Sequence, residues 1–94
     1  YSLTPEAIAL ALAERARASH VIDVCAGSGG SSIGFARAGA RVTAIELDEA
    51  RARDARHNAR LYGVGAQVTV LVGDATTILP SLEADLVFID PPWG

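Results

Sequence analysis

The five closing residues, Asp90-Pro91-Pro92-Trp93-Gly94, combine types that can do chemistry at the end of an apolar run, Asp85 to Ile89. An acid, two prolines and an aromatic at a strand's carboxyl end form a rigid shelf. Proline fixes φ and removes the backbone donor, so the carbonyls of Pro91 and Pro92 can be presented outward as acceptors. The Trp93 indole offers a flat face for stacking. A slot lined by acceptors and roofed by an aromatic suits a planar molecule with an exocyclic amine. A Pro-Pro turn with a core tryptophan would account for the same letters.

The other unusual residues also fall at the carboxyl ends of expected strands, where open parallel sheets bind ligands. Val21-Ile22-Asp23-Val24-Cys25 reads as a strand, followed by the turn Ala26-Gly27-Ser28-Gly29-Gly30. Glycines there let backbone N–H groups approach a ligand closely. The dinucleotide fingerprint would require a third glycine where this chain has Ser32, so pyrophosphate binding is disfavoured. The second strand, Arg41 to Glu46, ends in an acid that can accept from both hydroxyls of a ribose. The third, Val68 to Val72, is followed by Gly73-Asp74; Asp74 can accept from an adenine amine or simply cap a helix.

The elements that position these groups alternate strand and helix with short joins, the pattern of a parallel sheet with right-handed crossovers. Thr4-Pro5-Glu6 begins an expected helix that runs to about Ala18. A second helix covers Ser31 to Ala38 and closes at Gly39. A third, capped by Asp48, ends near Tyr62 with Gly63 beyond, and Ala52, Ala55, Ala59 and Tyr62 form its sheet-facing stripe. A short helical or turn segment spans Ala75 to Leu82, before the fourth strand.

Composition bounds the function. The chain has 94 residues, half of them hydrophobic, which is enough for one core. Its net charge of −3 gives no general attraction to nucleic acid. All eight basic residues are arginines. Arg51, Arg53, Arg56 and Arg60 can line an RNA path, although a solvated helix face explains them more simply. The single cysteine, Cys25, excludes a disulfide framework or a cysteine-rich zinc site, and His20 and His57 do not form a ligand pair. No metal is expected. No apolar run reaches membrane-spanning length, and the cytoplasm is the expected compartment.

Taken together, these stretches resemble a class I S-adenosylmethionine-dependent methyltransferase, and more closely the trimethylguanosine synthase family, which methylates the guanine N2 amine of RNA caps. The likeness is carried by Tyr1 to Glu6, Gly27-Ser28-Gly29-Gly30 with Ile33 and Phe35-Ala36, His57 to Val64, Gly73-Asp74, and Ala84 to Phe88 through Pro91-Pro92-Trp93-Gly94. The resemblance implies an α/β, Rossmann-like parallel sheet of which the first four strands are present, in the order 3-2-1-4. Residues 1–94 would be the amino-terminal, cofactor-binding part of a domain that continues past the catalytic motif.

The cofactor implied is S-adenosyl-L-methionine. Asp23, Cys25, Ala26, Gly27, Ser28 and Gly29 would hold its methionine end. Glu46 with Leu47 would take the ribose, and Asp74 with Ala75 the adenine. Asp90, Pro91, Pro92 and Trp93 would receive the target guanine of an RNA substrate. Asp90 stands where that family has serine. An acid there resembles the Asp-Pro-Pro-aromatic motif of amino-methyltransferases acting on ribosomal RNA or DNA bases, so both acceptor classes stay open. So does the oligomeric state, and a non-catalytic cofactor-binding piece is a further alternative.

Overall fold

The computed structural model describes residues 20–24 and 29–89. The expected helix from Thr4 to Ala18, the turn residues 25–28 and the Asp90 to Gly94 motif lie outside the described residues. Four strands, β1 (His20–Val24), β2 (Arg41–Glu46), β3 (Val68–Val72) and β4 (Leu86–Ile89), pair in parallel in the order β3-β2-β1-β4. Between them run α1 (Gly30–Arg37), α2 (Glu49–Leu61) and the single-turn α3 (Ala75–Ile78), which passes into a 3₁₀ turn over Leu79–Ser81. This is the expected sheet, with the expected strand order.

The two central strands are apolar on both faces, as a sheet covered on both sides requires. From β1 and β2, Val21 and Val42 face α1 and α2, where they join Ile33, Phe35, Ala36, Ala40, Ala59 and Val64 in one buried cluster. Ala44 and Val70 meet Ala52 and Ala55 of α2 on the same side. The alternate residues Ile22, Val24 and Ile45 face the other way, against Ala75, Ile78, Leu79 and Leu82. Phe35 of α1 meets Phe88 of β4 edge to face, with centroids 5.2 Å apart. Alanines at positions 52, 55 and 59 let α2 lie close to the sheet; each added methylene there would overpack the core at a cost of about 1–3 kcal/mol.

Tyr62 does not continue that stripe. It caps α2 and is 60% exposed, while Val64, 8% exposed, occupies the core. Gly63, at φ 76°, reverses the chain. Its N–H donates to Arg60 O at 3.1 Å, and the Val64 N–H donates to Ala59 O at 2.9 Å. This double closure satisfies the last carbonyls and swings the next apolar residue back onto the helix. Extending the helical period by one turn therefore placed the wrong residue in the core.

β1 begins one residue earlier than the sequence reading, because His20 pairs with Arg41. His20 is tied by four hydrogen bonds. Its N–H donates to Asp85 Oδ2 at 2.8 Å, and its carbonyl accepts from the Asp85 N–H at 2.8 Å. The ring nitrogens lie 2.7 Å from Glu83 O and 2.7 Å from Thr43 Oγ1. A carbonyl only accepts, so Nδ1 carries a proton. His57 lies exposed on α2. His20 thus starts a strand and His57 lies on a helix surface, and no cluster of metal-ligating residues exists among the described residues. No helix among them is long and apolar enough to cross a membrane.

Candidate cofactor and acceptor site

Because all four strands are parallel, the carboxyl ends of β1 to β4 share one edge of the sheet, and the described candidates gather there. Asp23 ends its side of β1 buried, at 1% exposure. Its Oδ2 accepts a 2.6 Å hydrogen bond from Ser32 Oγ in α1. The strand tip is thereby fastened to the helix that follows the glycine turn. Ser32, read in the sequence only as the wrong residue for a dinucleotide fingerprint, is the partner that sequence reasoning missed. The available signal was a hydroxyl among the apolar residues Ile33, Phe35 and Ala36 on the buried face of the helix.

Gly29 closes that turn and opens α1, with φ 97° and ψ 8°. A side chain here would be strained by the backbone, since non-glycine residues rarely take this conformation. It would also be crowded, because a Cβ would stand 3.2 Å from both Cα and Cβ of Ala55 in α2. Gly29 and α2 therefore approach each other to a distance that only small residues permit. Cys25, Ala26, Gly27 and Ser28, read as the rest of the turn, lie outside the described residues.

Glu46, at the tip of β2, is 6% exposed. The Asp48 N–H donates to its Oε2 at 2.9 Å, and its carbonyl accepts from the Gly73 N–H at 3.0 Å. A carboxylate held by backbone at a strand tip is an oriented acceptor. Asp48 itself caps α2, its side chain accepting from the Arg51 N–H at 3.1 Å. Between these two acids, Leu47 projects at 73% exposure, an apolar side chain at the same edge.

Asp74 follows β3 as expected and is also the cap of α3. Its Oδ1 accepts from the Thr76 hydroxyl at 2.8 Å and from the Thr76 N–H at 2.9 Å. These two bonds, the hydroxyl foremost, hold its carboxyl below the ordinary value of 3.8. An ionised carboxylate is acceptor-only. Ala75, half-buried, packs with Ile22, Val24 and Ile45. Among the described candidates, then, Asp23, Gly29, Glu46, Leu47, Asp74 and Ala75 share one end of the sheet. Asp90, Pro91, Pro92 and Trp93 lie outside the described residues, directly after Ile89 of β4.

Residues 18–94 match the family model described as RNA cap guanine-N2 methyltransferase. The chain is 36% identical to a trimethylguanosine synthase of Schizosaccharomyces pombe, over 100% of its own length and 43% of the relative's. It is 41% identical to ribosomal RNA small subunit methyltransferase J of Rhodopseudomonas palustris, over 80% of its length and 38% of that protein's. Among solved structures, the O-methyltransferase TomG of Streptomyces achromogenes in complex with SAM superposes with a TM-score of 0.84 at 28% identity, covering 96% of this chain and 45% of that one. The chain spans about two-fifths of the length of these relatives.

Proposed function

The chain belongs to the RNA cap guanine-N2 methyltransferase family, and from that membership we infer an S-adenosyl-L-methionine-dependent N-methyltransferase acting on an exocyclic amine of a nucleobase, guanine N2 in RNA. The observation that carries the reading is Glu46, a buried carboxylate oriented by backbone at the tip of β2 with the exposed Leu47 beside it. An oriented acceptor next to an apolar side chain fits a nucleoside: Glu46 accepts from the ribose hydroxyls, and Leu47 covers a face of the adenosine. Asp74, kept ionised by Thr76, accepts from the adenine amine beside Ala75. Asp23 and the turn Cys25-Ala26-Gly27-Ser28-Gly29 hold the methionine end. When bound, S-adenosyl-L-methionine supplies an electrophilic methyl group on a sulfonium.

The chain's own task is chiefly positioning, which can lower a barrier by roughly 7–11 kcal/mol. The Asp90 carboxylate and the Pro91 carbonyl accept from the target N–H groups. This keeps the nitrogen lone pair directed and stabilises the positive charge that develops on it. Pro92 stiffens the shelf, and Trp93 stacks on the base and sets its plane.

The acid at position 90 favours a second reading: amino-methylation of a ribosomal RNA or DNA adenine or cytosine. The likeness to a ribosomal RNA methyltransferase supports it. Methyl acceptance by capped RNA, ribosomal RNA and DNA separates the two. Calorimetry with S-adenosylhomocysteine and with NAD tests the cofactor assignment. Binding of NAD alone would overturn both readings, since each requires the adenosyl sulfonium.

A further inference from the structure

We propose that the groove between α2 and the outer edge of β3 is a docking track for the phosphate backbone of single-stranded RNA; this rests on the reading of RNA as the substrate. Arg56 and Arg60 line the groove on the helix side, Thr69 and Val70 on the strand side, and Gly65 at its foot. Among the described residues, no acid lines it. A helical repeat of 3.6 residues puts Arg53 on the same flank as Arg56 and Arg60, and the three span about 10 Å along the axis. Of the acids on α2, Asp54 falls on the opposite flank by the same repeat, while Glu49, at the first residue of the helix and four residues before Arg53, falls on the arginine flank and offsets one of its three charges.

In a chain of net charge −3, this flank is a local concentration of the opposite sign. Guanidinium groups suit phosphate because their fork matches its oxygens. Arg56 also settles which kind of chain the groove can take. Its Nη2 donates to Val70 O at 2.9 Å, so it covers an acceptor on the open edge of β3. Strand addition by a peptide would have to break that bond. Gly65 leaves room for Arg60, whose Cγ would lie 3.1 Å from a Cβ at that position. The track also leads to the right place. α2 starts at the carboxyl end of the sheet, after Glu46, and runs back beside β3. RNA lying along it has its neighbouring nucleotides at the strand tips.

The test is the double variant Arg53→Ala/Arg60→Ala, which keeps Arg56 and its bond to Val70. Anisotropy measures binding of a labelled single-stranded RNA across a salt series, and calorimetry with S-adenosylhomocysteine checks that the fold persists. The expected result is about tenfold weaker RNA binding at low salt, with the slope of log affinity against log salt reduced by about 1.4, two contacts at ~0.7 each. Unchanged affinity and slope, with the wild-type chain binding RNA normally, would overturn the track and leave the substrate reading standing. A wild-type chain that binds no RNA at any salt would overturn the substrate reading and the track with it. Tighter binding of a polyglutamate peptide than of RNA, lost in the double variant, would assign the groove to an acidic protein and overturn RNA as its occupant.

Discussion

The Ser32 hydroxyl donates to Asp23 Oδ2 at 2.6 Å, with both residues 1% exposed. A buried contact of this kind joins the end of β1 to α1, the two elements that flank the glycine turn in sequence. Ser32→Ala removes the donor and is expected to cost about 1–3 kcal/mol, the range for a buried polar group left without its partner. Thermal denaturation should show a melting temperature lower by roughly 5–15 °C. Ser32→Thr keeps a hydroxyl and should recover part of the loss.

Gly29→Ala should destabilise by about 1–3 kcal/mol, through both its positive φ and its crowding against Ala55. The two causes separate in a double-mutant cycle with Ala55→Gly. That change removes the Cβ that faces Gly29 but leaves the backbone strain. A coupling energy of at least ~0.5 kcal/mol in urea denaturation marks the part due to the Ala55 Cβ; zero coupling would assign the cost to φ and to the Ala55 backbone, which the change leaves in place.

Glu46→Gln keeps an acceptor oxygen but removes the charge, and it should weaken S-adenosylhomocysteine binding about tenfold, or ~1.4 kcal/mol. Glu46→Ala should weaken it further. Calorimetry reads both values. Equal affinity in wild type and both variants would remove Glu46 from the ribose site.

Asp90→Ala should lower turnover more than cofactor affinity, since its assigned role is on the acceptor side. Single-turnover methyl transfer compared with calorimetric affinity makes the distinction. An equal fall in both would move Asp90 to the cofactor.

The carboxyl of Asp74 titrates below its ordinary value in the folded chain because Thr76 hydrogen-bonds to the ionised form. A depressed folded value means that the carboxylate's contribution to stability is present above about 3.8 and is lost as pH falls through the folded value. Urea midpoints measured from pH 7 down to about pH 2 should therefore fall less steeply for Asp74→Asn than for wild type below pH 4.

The sheet was legible because apolar runs bounded by glycine and acid are unambiguous at this length, as in Arg41 to Glu46. The carboxylates at strand tips were legible for the same reason: each interrupts a run. What the letters did not carry was partnership. Ser32 looked like a missing glycine because its partner, Asp23, belongs to a different element. Tyr62 looked like core because a helical repeat says nothing about where the chain reverses, whereas Gly63 and Val64 do. Arg56 looked like part of a solvated face because its acceptor, Val70 O, is a backbone group on another strand.

The reciprocal His20–Asp85 bonds at the foot of β4 and the Phe35–Phe88 ring contact midway along it make that strand a post fixed at two heights. The segment that follows Ile89 in sequence starts from a strand tied to its neighbours at both points. Under the proposed function, changes beyond Ile89 retarget the acceptor without disturbing the foundation, and loosening His20 would blur the aim of residues at the opposite end of the strand.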